Sequence, residues 1–86
     1  MRRRFVFYGY VQGVGFRWRA KNLASLNNVT GFVRNLCDGS VEMEAEGKEE
    51  DIDRLVMGLE QSRYIEIQNL EVRTIPEQGD RYFEIK

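Results

Sequence analysis

At 86 residues the chain has room for one domain, residues 1–86, with one modest core, so any active site is expected to be shallow. Its 42% hydrophobic and 31% charged residues are those of an ordinary folded domain, and a net charge of -1 supplies neither the basic surface of a nucleic-acid binder nor an acidic tail. Cys37 is the only cysteine and histidine is absent, which excludes an internal disulfide, a Cys-x-x-Cys site, a Ser-His-Asp triad, a Cys-His pair and a histidine-ligated metal.

The basic start Met1-Arg2-Arg3-Arg4 leads into Phe5-Val6-Phe7-Tyr8, but Gly9 and polar residues follow at once. No signal peptide or membrane span is expected, and the expected compartment is the cytoplasm. From Arg4 to Val11 the alternation of Phe5, Phe7, Gly9 and Val11 against Val6, Tyr8 and Tyr10 predicts a strand. Phe16, Ala20, Leu23, Ala24 and Asn27 then recur at helical spacing, which predicts a helix from Phe16 to Leu26 with Asn27-Asn28 as its left-handed stop.

Val29 to Leu36 and Ser40 to Glu46 alternate again, and Asp38-Gly39 between them is a tight-turn signal, so the pair is predicted as a hairpin. Val41, Met43 and Ala45 form one face of its second strand. Glu42, Glu44 and Glu46 form the other, expected to be a solvated face paired across strands with Arg2 or Arg4 rather than a cation site. After Gly47 a second helix is expected to bury Ile52, Leu55, Val56 and Leu59, with Glu49, Glu50 and Asp51 in the first turn where the helix dipole favours anions. Ile65 to Thr74 and Tyr82 to Ile85 read as two strands around a turn at Pro76 to Asp80, and a parity shift between Ile67 and Leu70 predicts a bulge or a short break.

The order strand, helix, strand, strand, helix, strand predicts an α+β fold, the ferredoxin-like βαββαβ two-layer sandwich, with an antiparallel sheet carrying two helices on one face. A right-handed crossover makes the first two strands parallel. The loop after Val11 and the strand end near Asn35 are therefore expected on the same edge of the sheet.

That loop is Gln12-Gly13-Val14-Gly15-Phe16-Arg17. Two glycines let successive N–H groups point into one concavity, which opens onto the start of a helix where further N–H groups and the dipole favour an anion. Arg17, in the first helical turn, can offer a planar fork to phosphate oxygens. On these residues alone a simple tight turn and a solvated arginine remain the commoner readings, and Asn35 fits a turn residue as well as a functional one.

Gly9-Tyr10-Val11-Gln12-Gly13-Val14-Gly15-Phe16-Arg17 resembles the first signature of the acylphosphatase family, and Gly31-Phe32-Val33-Arg34-Asn35-Leu36-Cys37-Asp38-Gly39-Ser40-Val41-Glu42 resembles its second. The resemblance extends to Tyr82-Phe83-Glu84-Ile85. It implies a hydrolase acting on acid anhydrides, with a small acyl phosphate as substrate. It also implies that Arg17 and the amides from Gln12 to Phe16 bind the phosphate, while Asn35 orients the attacking water. A carboxylate leaves with little need of protonation, so the missing histidine is no obstacle, and no metal or other cofactor is expected.

A competing reading is weaker. Tyr8, Tyr10 and Phe32 could stack single-stranded RNA, but Val41-Glu42-Met43-Glu44 is acidic where such a sheet is read, so no nucleic-acid partner is expected. Trp18 borders the substrate or merely covers surface, and Cys37 is read as a small hairpin residue. A monomer is the default.

Overall fold

A computed structural model describes every residue from Met1 to Lys86. In chain order its elements are β1 (Arg2–Tyr10), α1 (Phe16–Leu26), β2 (Thr30–Asn35), β3 (Val41–Glu46), α2 (Glu49–Glu60), β4 (Glu66–Ile75) and β5 (Phe83–Ile85). The strands form one sheet in the order β4-β1-β3-β2-β5. β1 runs antiparallel to both β3 and β4, and β2 runs antiparallel to β3. The ferredoxin-like α+β arrangement is therefore present.

β5 departs from the expected wholly antiparallel sheet because it pairs in parallel with β2, Gly31 opposite Phe83 and Val33 opposite Ile85. The segment Pro76 to Asp80 is likewise not the turn of a local hairpin, since β4 and β5 lie on opposite edges. Contacts along the way explain the route. Glu46 accepts the amides of Gln78 at 2.7 Å and Gly79 at 3.0 Å, and Arg2 Nη1 donates to Asp80 at 3.0 Å. At the far edge Gly31 N donates to Tyr82 O and Lys86 N to Val33 O, while Phe83 is left only 7% exposed. These bonds satisfy backbone groups that β2 would otherwise leave unpaired.

The predicted alternation sorts the sheet into two faces. Phe5, Phe7, Val33, Val41, Met43 and Ala45 face the helices and meet Phe16, Ala20 and Ala24 of α1 and Ile52, Leu55 and Leu59 of α2 in one buried cluster. Each large aliphatic side chain fully removed from water there contributes about 2 kcal/mol. Gly58 weakens α2 as an isolated helix but lets α1 approach: a Cβ at that position would sit 2.8 Å from the methyl carbons of Leu23. Arg19 Nε closes the same crossing by donating to Gly58 O at 3.0 Å. Asn28 provides the expected left-handed stop to α1, with φ of 56°.

The opposite face carries ion pairs and is less solvated than expected. Arg2 bonds Glu44 at 2.8 Å and Glu46 at 3.1 Å, and Glu42 sits between Arg4 at 2.7 Å and Arg34 at 2.6 Å. Arg2 is 1% exposed and Glu42 5%. Burial works against both charges, yet their partners outweigh it: the Arg2 pKa is raised by Glu44, Asp80 and Glu46, and that of Glu42 is lowered by Arg34 and Arg4. The three glutamates are thus committed to guanidinium groups.

The bulge lies where the parity shift predicted it. Tyr8 is opposite Asn69 but Gly9 is opposite Ile67, leaving Gln68 as the extra residue. β1 and β2 both run antiparallel to the intervening β3, so they are parallel to one another. The loop after β1 and the end of β2 consequently emerge at the same end of the sheet.

Candidate active site

Two buried side chains pin the loop that follows β1. Val11 is buried where it begins, and Phe16 is buried where it ends, its ring centroid 4.9 Å from that of Phe7. Between them Gly13 and Gly15 take φ of 74° and 78°, in the left-handed region that costs glycine nothing. A Cβ at either position would meet open space, so the demand for glycine there is conformational and not steric. α1 begins directly after Gly15, with no side chain capping its start and no acidic residue in its first turn. Its leading N–H groups are left to solvent or an anion.

Arg17 occupies that first turn and is half-buried. Arg2, Arg3, Arg4 and Arg34 are each paired with carboxylates within 3.2 Å, whereas no carboxylate comes within ion-pair distance of Arg17. A cation at a helix start is unfavourable against the dipole unless an anion offsets it. Asn35 is the last residue of β2 and is exposed, its backbone opposite Val41 and its side-chain amide free of hydrogen bonds within the protein. Its carbonyl and NH₂ can each engage a water.

The profile of the family described as Acylphosphatase matches residues 3–85. An acylphosphatase of Oceanobacillus iheyensis is 37% identical over 81 residues, 91% of this chain and 89% of that protein. One from Lactiplantibacillus plantarum is 42% identical over 79 residues, covering 90% of this chain and 88% of that protein. Among solved structures, the crystal structure of acylphosphatase from Bacillus subtilis superimposes with a TM-score of 0.91 at 31% identity, over 99% of this chain and 97% of that one. The chain belongs to the acylphosphatase family. It is accordingly a hydrolase, and the family resemblance of its two signatures extends over the whole fold.

Within this acylphosphatase fold one contact of the loop was not expected. The side chain of Gln12 does not extend into the loop's concavity; its Nε2 donates to Leu36 O at 2.8 Å and to Ser40 O at 2.9 Å. Only the backbone amide of Gln12 can therefore serve the phosphate as the signature implies. The side chain ties the loop to the β2–β3 turn, one residue beyond Asn35. That turn is itself closed by Leu36 N to Ser40 O at 2.8 Å and Gly39 N to Leu36 O at 3.2 Å. Asp38 accepts both the hydroxyl and, at 2.9 Å, the amide of Ser40. Chiefly through the hydroxyl bond, its carboxyl is held below the usual range.

Cys37 is exposed in the same turn. Trp18 is 66% exposed, with Lys21 Nζ 5.9 Å from its ring centroid. The widest groove, about 620 Å³, lies elsewhere, between the end of α1 and β5, lined by Lys21, Ser25, Asn28, Arg81, Tyr82 and Glu84 among others. That groove takes in none of the residues from Gln12 to Arg17 and does not reach Asn35. No group of three or more histidine, cysteine, aspartate or glutamate side chains is arranged to hold a metal, and no helix is long and apolar enough to cross a membrane.

Proposed function

We propose that the chain hydrolyses the carboxyl–phosphate bond of small acyl phosphates, releasing a carboxylate and inorganic phosphate without a metal or cofactor. The observation that carries this reading is Arg17, an unpaired guanidinium at an uncapped helix start beside a glycine loop, in a chain of the acylphosphatase family. In this reading the amides of Gln12, Gly13, Val14, Gly15 and Phe16 and the fork of Arg17 hold the phosphoryl oxygens. Asn35 holds a water in line with the scissile bond. The water oxygen bonds to phosphorus as the bond from phosphorus to the acyl oxygen breaks, the electron pair leaves with the carboxylate, and the water's proton passes to solvent or to the phosphate formed.

The transition state of such a transfer spreads charge over the equatorial oxygens and demands chiefly positioning and electrostatic stabilisation. A carboxylate leaves without an acid. Backbone amides and one arginine therefore suffice where a histidine would otherwise be sought. The enzyme acts as a single domain and a monomer in the cytoplasm, with no nucleic-acid partner. The sheet face that could stack bases supports that last point: Tyr8 donates to Glu71 at 3.1 Å, and the strands there carry Glu42 and Glu44.

The test is hydrolysis of acetyl phosphate and benzoyl phosphate in a chelator. Turnover well above buffer and unaffected by the chelator is expected, with competitive inhibition by inorganic phosphate. A rate no higher than buffer would remove the assignment.

A further inference from the structure

The contact between Gln12 and the β2–β3 turn has a consequence for the reaction. On this parallel arrangement the phosphate loop follows β1 and Asn35 ends β2, with β3 between them, so no ladder hydrogen bond links the two directly. Gln12 Nε2 spends both of its protons across this gap, on Leu36 O at 2.8 Å and Ser40 O at 2.9 Å. Leu36 is bonded covalently to Asn35, and Ser40 O also accepts Leu36 N, so both acceptors belong to the turn that sets where Asn35 points. A primary amide is the neutral side chain that can give two N–H bonds from one atom.

We infer that the Gln12 side chain is a positioning residue for hydrolysis, fixing the spacing between the phosphate cradle and the water held by Asn35. This rests on the phosphate and water roles given under Proposed function. Phosphate binding needs only the loop amides and Arg17, whereas in-line attack needs cradle and water in register. Losing the clamp should leave the first largely intact and impair the second.

Gln12→Ala and Gln12→Glu separate the two. In Gln12→Ala, kcat for benzoyl phosphate should fall by about 10- to 100-fold, while the inhibition constant of inorganic phosphate changes by no more than about 3-fold. In Gln12→Glu an ionised carboxylate would face two carbonyl oxygens and donate nothing; protonated, it returns one O–H donor. Its kcat relative to wild type should therefore be low at pH 8 and recover several-fold as pH falls to 5, a recovery that Gln12→Ala cannot show. Should Gln12→Ala fail to fold, the pH series on Gln12→Glu decides alone. Wild-type kcat in the folded variants, kcat and phosphate inhibition lost in equal measure, or no recovery of Gln12→Glu at low pH would each overturn the inference. Asn35→Ala is the control: if it is impaired while the Gln12 variants are normal, the clamp alone is wrong, and if it too is normal, the underlying assignment fails.

Discussion

Gly31 and Gly15 both adopt positive φ, 135° and 78°, but for different physical reasons. A Cβ on Gly31 would fall inside van der Waals contact with the backbone carbonyl of Glu44 on the neighbouring strand, which cannot move without breaking the β2–β3 ladder. Gly31→Ala should therefore lower unfolding stability by about 3 kcal/mol or more, combining steric overlap with backbone strain. Gly15→Ala meets no atom and pays only for the left-handed conformation, about 1 kcal/mol. Urea unfolding of the two variants checks the order; equal losses would contradict it. Arg17 and Asn35 were singled out in the sequence by the motifs that contain them, and their roles stand as proposed. The clamp of Gln12 was not, because its partners are backbone carbonyls 24 and 28 residues away, which leave no mark on residue type.

Glu46 shows what an element gains from a single carboxylate. It ends β3 and accepts the amides of Gln78 and Gly79, holding the β4–β5 connection near Arg2. The amide of Gln78 is the main reason that its pKa lies below the usual carboxylate value, with Arg2 and the Gly79 amide adding to the effect against partial burial. Because the folded pKa is lower than the unfolded one, the stability it contributes is fully present above the unfolded pKa. It is lost as pH falls through that value toward the folded one. Glu46→Gln should lower stability at neutral pH by about 2 kcal/mol, since bonds to a charged acceptor are the stronger kind. It should also flatten the acid limb of the curve of Tm against pH. A variant whose acid limb matches wild type would contradict this role.

At the same scale, the bulge near Gln68 was readable from the apolar parity of β4, because a one-residue insertion shifts every later side chain to the other face. The destination of β5 was not readable. Three residues carry too little pattern to choose an edge, and a neighbouring strand is the default for a short connection. The choice is made by long-range contacts, Arg2 with Asp80 and Glu46 with the Gln78 and Gly79 amides, which become visible only once β1 and β3 are paired.

Over the whole molecule, topology gathers the candidate site from parts distant in sequence. Two parallel strands separated by β3 deliver a glycine loop and an asparagine to one end of the sheet, and the fold's remaining mass packs Val11 and Phe16 beneath the loop. The ferredoxin-like order of elements was legible from periodicity alone, since alternation and helical spacing are local properties. The juxtaposition of loop and strand end followed from handedness. What periodicity does not carry is chemistry: the proposed anion cradle is argued from the glycines, the helix start and Arg17, and the proposed choice of acyl phosphates from membership of the acylphosphatase family.

In the proposed division of work Arg17 grips phosphate and Asn35 places water, and one paired measurement tests it. Steady-state hydrolysis of benzoyl phosphate with inorganic phosphate as inhibitor is compared for wild type, Arg17→Lys and Asn35→Ala. Arg17→Lys should lose most turnover and weaken phosphate inhibition, because a point charge cannot reproduce the planar fork. Asn35→Ala should lose at least about 100-fold in kcat yet remain inhibited by phosphate at nearly the wild-type concentration. Near-wild-type turnover in either variant, or an Asn35→Ala enzyme that no longer binds phosphate, would contradict the account.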